Sequence, residues 1–91
     1  MVQFYEANDK VHKYVAVFDD GHHVPFGALG YSDFIHHQDP ERKKRYLNRH
    51  RKKEDWNNPR TPGALSRWIL WNKPTLEASI KDYVKRFHMH L

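Results

Sequence analysis

VHKYVAVFDDGHHVPFGA, residues 11–28, decides the fold. From Val11 to Phe18, Tyr14, Ala16 and Phe18 fall on one side of an extended chain, and Val15 and Val17 on the other. Apolar residues on both sides predict a central strand, partly covered on each face. Asp19-Asp20-Gly21 is a tight hairpin turn, with glycine supplying the positive φ. His22 to Ala28 returns as the partner strand, and Pro25, which cannot donate to a ladder, sets that strand at an edge or a bulge. Toward the N-terminus, Val2 to Ala7 is a short strand candidate followed by the turn residues Asn8-Asp9-Lys10. If it pairs, residues 1–30 form a three-stranded antiparallel β-meander.

Toward the C-terminus the pattern turns helical. Gly27 and Gly30 end the strand region, and Ser32 is placed to cap a short turn over Asp33 to His37. Asp39-Pro40-Glu41 combines a cap residue, proline at the first helical position and an acid in the first turn. It predicts a helix over residues 40–54. Thr61-Pro62 repeats the signal ahead of a helix from Gly63 to Trp71, apolar on every side except Ser66 and Arg67 and therefore expected to be buried. Thr75 caps a last helix to about His88, with Leu76, Ile80, Tyr83, Val84 and Phe87 on one face. The fold class expected is α+β: one domain over residues 1–91, a small meander followed by three to four α-helices packed on one face.

Composition narrows the function classes. The chain of 91 residues has no cysteine, which excludes disulfides and thiolate metal sites and fits a reducing compartment. The N-terminus lacks the pattern of a signal peptide, and no apolar run nears the ~20 residues of a membrane span, so an intracellular protein without a membrane partner is expected. Net charge is +5, but the charge is concentrated. Arg42 to Lys53 holds eight of the sixteen Lys and Arg and no acid; the rest of the chain carries eight basic against eleven acidic side chains, a net of −3. The protein is a mildly acidic body with one basic element.

On a helical wheel at ~100° per residue, Tyr46, His50 and Leu47 make a narrow stripe that can lie on the body, with Lys43 and Lys53 beside it. Arg42, Lys44, Arg45, Arg49, Arg51 and Lys52 fill the other half of the circumference. A solvated helix face is the simplest reading, but exposed helices usually interleave acids at i±4, and here like charges repel with no gain in folding. Cations at this spacing can meet successive phosphates. Arg60, with Trp56, could extend the surface. The expected partner is nucleic acid, DNA or RNA, bound through its backbone without sequence preference. The alternative is an acidic protein partner, which would need an apolar anchor such as Tyr46 or Trp56 as well as charge.

An enzyme is not expected, and no catalytic residue or cofactor is assigned. The eight histidines match no zinc spacing, and no metal ligand is assigned. GHHVP on a hairpin before a helix, with Asn48 and His50, faintly resembles ββα-metal nucleases and leaves a metal-dependent nuclease as a second alternative, one that would need a divalent ion near His22, His23 or His50. The segment SRWILW, residues 66–71, reads as core in preference to a base-stacking platform. Trp56 either covers the edge of the core or stands exposed beside the basic helix.

Three segments together resemble a known group: KYVAVFDDGHHVPFGALGYSDF (13–34), DPERKKRYLNRHRKKEDWNNP (39–59) and TPGALSRWILWNKPTLEASIKDYVKRF (61–87). They look like a family of small, uncharacterised basic proteins encoded by large double-stranded DNA viruses of algae and protists. The marks are the Gly30-Tyr31 pair after the hairpin, the arginine-rich helix ending in Arg49-His50, and the SRWILW block followed by Lys73-Pro74-Thr75-Leu76. The resemblance implies a viral gene product, made in the infected cell or packaged in the virion, where a minor capsid or core role docking an acidic neighbour is the alternative to nucleic-acid binding. It carries no catalytic residue.

Overall fold

The structure, a computed structural model, describes all 91 residues. Strands β1 (Val2–Glu6), β2 (His12–Phe18) and β3 (His23–Ala28) form one antiparallel sheet in the order β1-β2-β3, so the N-terminal segment does pair and β2 is central. The helices are α1 (Phe34–His37), α2 (Pro40–His50), α3 (Pro62–Leu65) and α4 (Leu76–Arg86), with a π-helical segment, Ser66–Leu70, continuing α3. This is the α+β architecture expected.

Register explains which face is covered. Val2 pairs with Phe18 and Phe4 with Ala16; on the other side Ala16 pairs with Val24 and Tyr14 with Phe26. Period-two alternation puts all of these on one face. There Val2, Ala16, Phe18, Val24 and Phe26 are buried with Leu65, Ile69, Leu70 and Tyr83 from the helices. The opposite face, with Tyr5 and Pro25, is open to solvent, and Val15 and Val17 are half-covered. Pro25 lies on β3, which pairs on one side only. The hairpin turn closes with Gly21 at φ 85° and its N–H donating to the Phe18 carbonyl at 2.9 Å.

Three of the four expected caps form: Asp39, Thr61 and Thr75 each accept a backbone N–H at the start of α2, α3 and α4. Four expectations need correction. Asp33, not Ser32, caps α1; its carboxylate accepts from the His36 N–H. The basic helix ends at His50, not Glu54: the Lys53 N–H turns back to the His50 carbonyl, three residues earlier, which closes the helix at Arg51–Lys53. The last helix ends at Arg86, because His88 takes φ 55° and the Met89 N–H returns to the Val84 carbonyl at 2.8 Å.

The fourth concerns residues 63–71. Here the Trp71 N–H donates to the Ser66 carbonyl, five residues back, at 3.0 Å. The wider turn breaks the 100° phase, so the wheel fails after Leu65. Arg67 is not outward: it is half-buried, its guanidinium 4.1 Å from the Trp68 ring, and Nη1 donates to the Trp71 carbonyl at 2.9 Å. Trp68 and Trp71 are only partly covered.

Candidate nucleic-acid interface

Helix α2 is held to the body by rings. Tyr46, its one buried side chain, stacks on Trp71 with centroids 4.2 Å apart and on His50 at 4.3 Å. His37 continues the column at 5.2 Å from Trp71. Lys43 also turns inward, as a stripe-edge lysine should. Its Nζ donates to the Asn72 carbonyl at 2.7 Å and lies 4.8 Å from the Phe34 ring. Burial, with Arg67 and Lys73 nearby, holds its pKa below the ordinary lysine value. Burial also raises the Tyr46 hydroxyl well above the usual tyrosine range, so it stays neutral at physiological pH.

With the stripe fixed inward, the rest of the helix faces water. Arg42, Lys44, Arg45 and Arg49 on α2, and Arg51 and Lys52 in the closing turn, are all exposed. No ion pair in the molecule involves any of them. Elsewhere four cations are in ion pairs: Lys13 with Asp33, Arg60 with Asp20, Lys81 with Glu77, Arg86 with Asp82. Arg42, Arg45, Arg49 and Lys52 follow one another at three, four and three residues, which makes a ridge with a cation every ~5 Å along the axis. Only Arg42 touches a neighbour, donating from Nη2 to Ser32 Oγ at 3.1 Å.

Two other candidates are engaged elsewhere. Arg60 is turned to the β2–β3 turn, where Nη1 donates to Asp20 and the guanidinium lies 4.6 Å from the Phe18 ring. Trp56 closes the edge of the core: its Nε1 donates to Glu54 at 3.0 Å, its carbonyl accepts from Trp68 Nε1 at 2.9 Å, and Arg67 lies 5.5 Å from its ring. The long-range partners are not visible in a local pattern, since Asp20 is 40 residues from Arg60 and Trp68 is 12 from Trp56.

The histidines do not gather. No group of three or more His, Asp or Glu side chains is arranged to hold a metal ion. His50 Nδ1 lies 3.3 Å from Glu54, while His22 and His23 stand exposed by the hairpin.

Beside the ridge, a cleft of about 820 Å³ separates α2 from the β3–α1 loop and α3. Arg42, Arg49 and His50 line it on the helix side, and Tyr31 and Ser32 on the loop side. Tyr31 was not among the site residues expected from sequence. It follows a glycine turn; its signals were its place in the Gly30-Tyr31 pair and an aromatic ring that fits neither periodicity.

Residues 2–50, the sheet through the end of α2, match the model of a family described as a family of unknown function (DUF5754). No curated protein and no solved structure matches the chain.

Proposed function

We propose that this chain, which belongs to the DUF5754 family of unknown function, binds nucleic acid through the sugar-phosphate backbone, without sequence preference and without catalysis. One observation carries the reading: six cations, Arg42, Lys44, Arg45, Arg49, Arg51 and Lys52, stand exposed on α2 and its closing turn with no acid paired to any of them. An exposed helix held only for solubility gains from alternating signs, whereas unbroken positive charge gains from a polyanion. The body beneath fixes the helix in register, so the cations are displayed on a rigid element and not on a tail.

The competing reading, docking to an acidic protein, wants an apolar anchor beside the charge. The two anchors expected from sequence are engaged within the fold. Tyr46 is buried under Trp71, and Trp56 is committed to Glu54, Arg67 and Trp68. The sequence resemblance supports carrying the phosphate-binding reading to a viral gene product that handles genome or transcripts.

The test is fluorescence anisotropy with labelled nucleic acid over a range of salt, on the wild type and on Arg45→Glu/Arg49→Glu. We expect micromolar binding that weakens steeply with salt and collapses in the double variant. Absence of binding by the wild type at low salt would sink the reading.

A further inference from the structure

The cleft beside α2 shares Arg42 and Arg49 with the phosphate grip but has a loop-side wall that the grip does not use. Its volume, about 820 Å³, is in the range of small-molecule sites and exceeds what one nucleobase needs. On its loop side stands Tyr31, 74% exposed, the least covered large hydrophobic side chain in the protein. Tyr31 makes no ring stack and no cation–π contact, although the molecule forms eight ring pairs and five cation–π contacts elsewhere. It contributes nothing to the core.

The backbone that carries it is nevertheless anchored. Gly30 takes φ 91°, and the Tyr31 N–H donates to the Ala28 carbonyl at 3.3 Å. The next residue, Ser32, accepts a hydrogen bond from Arg42, the first cation of the ridge. The loop that carries the free ring is thus tied directly to the helix that carries the free charge. Arg42 and Arg49 belong to both, since they lie on the ridge and line the cleft. The two carboxylates in the cleft are already engaged: Asp33 with Lys13 and His36, Glu54 with His50 and Trp56.

We infer that the cleft receives an unpaired base, which stacks on Tyr31 while its flanking phosphates sit on Arg42 and Arg49, so that the partner is single-stranded nucleic acid. The inference rests on the reading of α2 as a phosphate grip and narrows it. In a duplex the bases are stacked on one another and cannot enter a cleft; only the ridge would be used, and Tyr31 would be irrelevant. A single strand offers phosphates and faces together, and stacking on an aromatic ring is tolerant of sequence, as the ridge is.

Anisotropy titrations would separate the two levels. The probes are a labelled oligothymidylate, which does not self-pair, and a labelled duplex of the same length, at one fixed salt. The proteins are the wild type, Tyr31→Ala and Tyr31→Phe, with thermal unfolding as a check that the exposed position leaves the fold intact. Tyr31→Ala is expected to weaken the single strand by about fivefold or more and to leave duplex affinity unchanged. Tyr31→Phe, which keeps the ring, is expected to bind the single strand like the wild type. An unchanged single-strand affinity in Tyr31→Ala, or an equal loss on both probes, would overturn the base-binding cleft and leave the grip standing. If neither probe binds the wild type at low salt, both readings fall.

Discussion

Tyr46 and Trp71 lie face to face, their ring planes within 2° of parallel and their centroids 4.2 Å apart. One ring belongs to the basic helix, the other to the end of the π-helical segment that packs under the sheet. The contact therefore joins the charged element to the core. Truncating either ring removes buried aromatic area and leaves a gap that neighbours fill poorly. Tyr46→Ala is expected to destabilise the fold by about 3 kcal/mol, seen as a fall of more than about 10 °C in the unfolding midpoint. Tyr46→Phe keeps the ring and should lose less than about 1 kcal/mol. Equal losses for the two variants in urea titrations would mean that the hydroxyl, not the stack, holds the helix.

Asp33 is the buried acid of the structure, 2% exposed, and it does two things at once. It caps α1 and it pairs with Lys13 and His36. Burial alone would raise its pKa, but the hydrogen bonds from Lys13 and His36 outweigh that and hold it below the ordinary carboxylate value of 3.8. The folded form therefore takes up this proton less readily than the unfolded chain. The stabilisation is complete above the ordinary value and is lost as pH falls through the lower folded-state value. Asp33→Asn should cost about 3 kcal/mol at pH 7, because Lys13 is left without its partner. It should also flatten the acid end of the stability profile. Unfolding free energies from pH 7 down to about 3 would check both; a variant as acid-sensitive as the wild type would assign the loss to other carboxylates.

How much of this was legible depends on distance along the chain. Caps act within three residues, so Asp39-Pro40, Thr61-Pro62 and Thr75 announced their helices. The β2–β3 hairpin was equally local, and the period-two run in β2 marked the central strand. What failed needed partners far away in sequence. Arg60 looked free until Asp20 reached it, and Trp56, open in the sequence between core edge and exposure, is placed at the core edge by Trp68 and Arg67. The inward turn of Arg67 failed for another reason: a fixed 100° step cannot describe a segment whose hydrogen bonds skip to five. In the candidate site the cations of α2 were legible because a wheel needs only α2 itself. The cleft was not, because its other wall comes from the β3–α1 loop and its Tyr31 falls in neither the helical nor the strand periodicity.

Gly27 and Gly21 offer a matched comparison of backbone and space. Both have positive φ, 79° and 85°. A Cβ on Gly21 would meet nothing within 4 Å, whereas on Gly27 it would lie 2.7 Å from Leu70 Cδ1. Leu70 is buried in the core and has little room to retreat. Gly21→Ala should therefore cost only the strain of the left-handed backbone, about 1–2 kcal/mol. Gly27→Ala should add a further ~1–3 kcal/mol of overpacking. Chemical denaturation of the two variants side by side gives the difference directly; similar losses would show that Leu70 moves freely.

The salt dependence of binding distinguishes cations that face a phosphate from cations that only look basic in the sequence. Each contact to a single strand contributes about 0.7 to the slope of log K against log salt, and each contact to a duplex about 0.9. Arg45 and Arg49 sit on the ridge without ion-pair partners, so Arg45→Ala/Arg49→Ala should reduce the slope by about 1.4 on a single strand. Arg60 is engaged by Asp20 and Phe18 at the hairpin. Arg60→Ala should leave the slope unchanged, although it removes a charge of the same kind. A drop in slope for Arg60→Ala equal to that of either ridge arginine would move the interface toward the β2–β3 turn and make α2 only one part of it.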